Sequence, residues 1–126
     1  MLSGRGQRII DEIPPSPMTQ ETATIHDDIR ALLDEPSGAE EDGFLDRAEH
    51  TLTNGYARAL ALETERVRLE KRMGELAGGL NEDSGEGPTE ELASVARRLS
   101  DAEGELAQLR GVLRSLRARA RAVRSA

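Results

Sequence analysis

Two histidines and a row of arginines are the side chains best placed to do chemistry or to recognise charge. His26 adjoins Asp27 and Asp28, and His50 lies near Asp46 and Glu49. An imidazole among carboxylates can hold a divalent metal or move a proton, but a metal centre needs three or four convergent ligands. Neither histidine has them nearby in sequence, so both read as solvated helix residues. The run Asn81-Glu82-Asp83-Ser84-Gly85-Glu86 offers oxygen ligands, yet it lacks the alternating ligands and closing glutamate of an EF-hand and reads as a flexible turn. No glycine-rich phosphate loop follows a strand, and no serine stands in a nucleophile elbow. The absence of cysteine excludes disulfides, thiolate metal sites and cysteine nucleophiles. The residues thus predict no catalytic, metal or cofactor site, and they direct attention to binding.

The arginines are Arg110, Arg114, Arg117, Arg119, Arg121 and Arg124, with no acid between Leu106 and Ala126. Such a cluster can bind nucleic acid or an acidic partner. It can also serve the fold, since cations stabilise a helix C-terminus and these could face an acidic neighbouring helix. No aromatic residues interleave with them to stack single-stranded bases, and the net charge of −7 weakens duplex affinity. The structural role is therefore the favoured one. Gly104 and Gly111, seven apart with Ala118 continuing the line, either form a smooth track for a partner helix or are tolerated surface residues.

In three residues the chain resembles the helical-hairpin anti-sigma factors that sense cyclic di-GMP. Glu90, Ser94 and Arg97 have the spacing that opens that family's nucleotide-binding stripe. The stripe continues with glutamine and aspartate, where this chain has Asp101 and Glu105, and the first long helix has no matching copy. The family is not assigned on that basis.

The elements that must position these groups are helical. Charged residues make up 33% of the 126 and aromatics 2%, namely Phe44 and Tyr56, too few for a sandwich or barrel. The expected class is all-α. Residues 1–23 read as a disordered, acidic arm, because Pro14, Pro15 and Pro17 block a helix. A short amphipathic helix is predicted over 24–36, capped by Thr24, with Ile25, Ile29, Leu32 and Leu33 on one face and Pro36 ending it. A hairpin is predicted over 37–126, as a helix over 38–78, a loop over 78–88 and a helix over 89–124. Ser37 and Glu40 would open the first long helix as a capping box, and Thr89 would cap the second. The glycine-rich run from Gly78 to Pro88 makes the break.

Each long helix carries a heptad seam. In the first it runs Leu45, Ala48, Leu52, Gly55, Ala59, Leu62, Arg66, Leu69, Met73, Leu76 and Leu80, imperfect at Gly55 and Arg66. In the second it runs Leu92, Val95, Leu99, Ala102, Leu106, Leu109, Leu113, Leu116, Ala120 and Val123 without a charge. Charge selects an antiparallel pairing: twelve acids lie between Ile9 and Asn54, against only Arg30 and Arg47, so the acidic start of one helix meets the basic end of the other. Asp46 and Glu49 should then approach Arg119, Arg121 or Arg124. Tyr56, Leu60 and Val67, with Val112 on the second helix, lie beside the seam as surplus apolar positions. They could accept the short helix, giving a three-helix bundle, or a second hairpin, giving a four-helix dimer.

The N-terminus lacks the apolar run of a secretory signal, and no stretch approaches the roughly 20 apolar residues of a membrane span. A soluble, cytoplasmic chain without membrane insertion is expected. The expected function is a helical-hairpin protein–protein interaction module, meeting a protein partner or itself, as a homodimer or hetero-complex. The alternative is a transcription-linked regulator contacting RNA polymerase, a sigma factor or nucleic acid.

Overall fold

The computed structural model describes residues 18–36, 43–80 and 86–125. Their regular structure is entirely helical: α1 (Gln20–Leu33), α2 (Phe44–Leu80) and α3 (Glu86–Ser125). At 1.5 Å per residue, α1 is about 21 Å long, α2 about 55 Å and α3 about 60 Å.

α1 begins at Gln20 rather than at Thr24. Its N-cap is Thr19, whose hydroxyl oxygen accepts the Thr22 amide at 3.3 Å. Thr24 is exposed within the helix. The expected apolar phase holds, however: Thr22, Ile25, Ile29 and Leu32 are buried along one stripe. The helix ends at Asp34, whose amide donates to the Arg30 carbonyl at 3.0 Å, just before Pro36. The rest of the expected arm, residues 1–17, lies outside the described residues.

α2 begins at Phe44, later than expected. Gly43 sits immediately before it at φ +78°, a left-handed backbone that glycine adopts without steric cost. The capping box at Ser37 and Glu40 lies outside the described residues, as does the calcium-like loop up to Gly85. α3 begins at Glu86, so Thr89 is inside the helix and not its cap.

α2 and α3 form the expected antiparallel pair. Glu49 meets Arg124 at 2.8 Å near one end, Glu63 pairs with Arg110 midway, and Arg72 meets Glu91 at 2.7 Å toward the other end. Asp46 makes no such ion pair among the described residues. At Gly55 the absence of a side chain lets Leu113 of α3 press against the α2 backbone: a Cβ added there would lie 2.5 Å from Leu113 Cδ2. The glycine that interrupts the heptad is the socket for a core leucine.

The core has two parts. Toward the chain's two ends, Ile25, Ile29 and Leu32 of α1 join Phe44, Ala48, Ala59 and Leu62 of α2 and Leu106, Leu109, Leu113 and Leu116 of α3. Toward the loop, only α2 and α3 contribute: Leu69, Leu76, Val95, Leu99 and Ala102, flanked by Met73 and Leu92. The fold is therefore a three-helix bundle from which a two-helix tip projects. Leu45 and Leu52, expected in the seam, are only half-buried, while Phe44 is fully buried and Thr51 nearly so.

That shift has one cause. α1 packs on the flank of α2 that carries Phe44, Thr51 and Arg58, and not on the flank that carries Tyr56, Leu60 and Val67. Its N-terminus is tied by Arg58, which donates from Nε to Thr22 Oγ1 at 2.7 Å and from Nη2 to Thr19 Oγ1 at 3.0 Å. The Thr19 hydroxyl donates in turn to Glu105 of α3 at 2.9 Å. Glu105 is buried and lies 3.5 Å from Arg58. A buried carboxylate and guanidinium require such neutralisation, since leaving one alone costs several kcal/mol.

Candidate interaction surface

The C-terminal arginines do not act as one patch. Arg119 turns inward. It donates to the carbonyls of Leu33 at 3.1 Å and Glu35 at 2.6 Å, and its guanidinium lies 5.4 Å from the centroid of the buried Phe44 ring. These bonds satisfy carbonyls that the end of α1 would otherwise leave unpaired, and they place a cation at the negative end of the α1 dipole. Arg47 closes the same corner by pairing with Glu35. That hydrogen bond, with the nearby charges of Arg47 and Arg119, holds the Glu35 carboxyl below its ordinary value against the opposing effect of burial. The same contact raises Arg47, as the Glu91 hydrogen bond raises Arg72.

Arg110 and Arg124 are committed to Glu63 and Glu49. Arg114, Arg117 and Arg121 are exposed, and no carboxylate among the described residues lies within ion-pairing distance of them. They share a face with the surplus apolar positions. Tyr56, Ala59, Leu60 and Leu113 form the floor of a shallow groove between α2 and α3, with Glu63, Arg110, Arg114 and Arg117 around it. Past Tyr56 and Arg117 the groove continues between Leu52 and Ala120 to Glu49, Arg121 and Arg124. Tyr56, Leu60 and Val67 are 44%, 66% and 56% exposed, the large apolar side chains most open to solvent among the described residues.

Of the positions expected to meet a partner, Ile25, Ile29 and Leu32 are consumed by the fold, and Leu33 packs at its edge. Tyr56, Leu60 and Val67 alone remain open. Val112, grouped with them on sequence, packs against the core instead. The seam residues Leu62, Leu69, Leu76, Val95, Leu99, Leu106, Leu109, Leu113 and Leu116 are buried within the chain, and so serve the fold directly.

Among the described residues neither histidine joins a cluster of ligands. His50 is exposed and His26 half-buried, and no three potential ligands among the described residues gather to hold a metal ion. Glu90 and Arg97 are exposed and Ser94 half-buried on α3, but Glu105, where the cyclic di-GMP stripe would end, is occupied by Thr19 and Arg58. Gly104 and Gly111 open onto space, with no packed atom closer than Arg114 Nη2 at 4.0 Å from a Cβ at Gly111. No helix among the described residues is long and apolar enough to cross a membrane. Comparison with protein-family models, with curated proteins and with solved structures gives no match.

Proposed function

We propose that this protein is a non-enzymatic helical-hairpin module for protein–protein interaction, serving as an adaptor, assembly factor or regulator. One observation carries the reading: α1 docks on the flank of α2 that carries Phe44, Thr51 and Arg58, and leaves Tyr56, Leu60 and Val67 exposed along the other. Contiguous exposed apolar side chains rimmed by polar ones mark interaction sites on small soluble domains. The transcription-linked reading leans on the same arginines, but a duplex backbone offers nothing to cover Leu60 and Val67.

The test is a photo-activatable cross-linking residue at position 60, with position 115 as control, since Ser115 is exposed on α3 outside the groove. Expressed in its source cells, the position-60 protein should yield a discrete protein adduct that the position-115 protein lacks. Equal labelling from both positions sinks the reading.

A further inference from the structure

We infer that the groove of Tyr56, Leu60 and Leu113 takes an acidic amphipathic helix of about four turns from another protein. The inference rests on the interaction reading above and adds the chemistry of the partner.

The chain itself supplies the precedent. A helical hairpin has two grooves, one on each side of its seam. One is filled by α1, a helix of 14 residues that presents Ile25, Ile29 and Leu32 to the hairpin. Arginines hold it at both ends, Arg58 near Glu21 at 3.6 Å and Arg119 on the final carbonyls. The open groove has the same parts. Its floor is apolar, and between Arg110 and Arg124 it runs about 21 Å along α3, the length of α1. No sheet edge exists among the described residues for an extended peptide to join, so a helix laid in the groove is the fitting mode.

Charge decides the partner. The groove walls carry five arginines and two glutamates, and both glutamates are already paired. Arg114, Arg117 and Arg121 pair with no carboxylate among the described residues, and, spaced three and four apart, they form one straight row along α3. A helix with carboxylates at matching intervals faces all three while its apolar residues cover Leu60. A two-fold partner copy brings the same three arginines to the interface, with no free carboxylate from the groove walls to answer them. The surrounding protein is acidic at −7, so this row is a local exception to the field around it.

The chain has no cysteine, so Thr64→Cys creates a unique thiol one turn beyond Leu60 on an exposed position. Cysteine-terminated peptides of about 14 residues compete for this thiol under exchange conditions, and mass spectrometry reads the adduct ratio. The probes are an amphipathic helix with glutamates beside its leucine stripe, the same helix with lysines, and scrambled versions of each. The acidic helix should exceed the lysine helix by about tenfold, or 1.4 kcal/mol. The full protein's net charge favours lysine, so this preference must arise in the groove. Arg114→Glu with Arg117→Glu should invert the ratio, and Ser115→Cys should show none.

A preference for the lysine helix over both acidic and scrambled probes overturns the acidic partner and leaves the interaction reading standing. No preference for either amphipathic helix over its scrambled version overturns both. A doubled solution mass that Leu60→Glu returns to one chain assigns the groove to a second copy and overturns the inference alone.

Discussion

Gly55→Ala should destabilise the fold, while the same substitution at Gly111 should stabilise it. Both residues lie inside long helices, where alanine is favoured over glycine by about 1 kcal/mol. Gly111 looks onto open space, so its alanine gains that amount. At Gly55 the new methyl would stand 2.5 Å from Leu113 Cδ2, where carbon atoms settle at about 3.5–4.0 Å. Leu113 must yield by roughly 1 Å, and it is 2% exposed within the main core, so its neighbours must move too. Overpacking of this kind costs about 1–3 kcal/mol. Because the propensity gain is common to both variants, the difference between them reports the clash directly, as about 1–3 kcal/mol. Urea unfolding followed by far-ultraviolet circular dichroism measures it. In a Leu113→Ala background the obstruction is gone, and Gly55→Ala should turn from a loss into a gain. Equal stabilisation by the two glycine substitutions in the wild-type background would refute the close approach of α2 and α3 at this point.

Arg119→Ala should release the end of α1 before the hairpin loosens, since two charge-assisted hydrogen bonds of about 1.5–3 kcal/mol are lost; hydrogen exchange at Ile29, Leu32 and Leu33 should accelerate while Leu99 stays protected. Lowering the pH should weaken the same corner. The folded Glu35 carboxyl titrates below its ordinary value, so its stabilisation is complete above that value and fades as pH falls through the lower, folded one. Glu35→Gln should flatten this acid limb of α1 protection, and an unchanged limb would show that Arg47 and Glu35 do not hold α1. Leu60→Glu and Val67→Glu should each shift stability by no more than about 0.5 kcal/mol, as surface changes do, whereas Leu99→Ala should cost about 2–5 kcal/mol in the same urea titration.

The hairpin was legible because its cause is periodic. Leucines three and four apart in two long stretches, a glycine-rich break and opposed charges require no knowledge of the fold to interpret. The docking side of α1 was not legible, because its cause is a set of contacts between distant residues. Apolar surplus at Tyr56, Leu60 and Val67 points to the wrong flank. Four polar side chains, Thr19, Thr22, Arg58 and Glu105, draw α1 to the other, and nothing local marks them as a unit. The weak spots of the seam were the useful signal. Gly55 is a socket, and Phe44, one residue out of the expected phase, is the ring under Arg119. The six arginines looked like one feature and are three: a clamp at Arg119, cross-links at Arg110 and Arg124, and a row at Arg114, Arg117 and Arg121 that is unpaired among the described residues.

Tyr56 is the only tyrosine and the chain has no tryptophan, so the fluorescence of the unmodified protein comes from the groove itself. The most direct test is quenching of that emission by iodide and by caesium at matched ionic strength over a dilution series. An open groove beside arginines that are unpaired among the described residues predicts ready quenching at every concentration, with an iodide-to-caesium ratio of quenching constants above that of free N-acetyltyrosinamide despite the acidic chain. A Tyr56 shielded from both ions, or an iodide-to-caesium ratio at or below that of the free amide, would mean that the apolar row is covered or that the arginines do not face it.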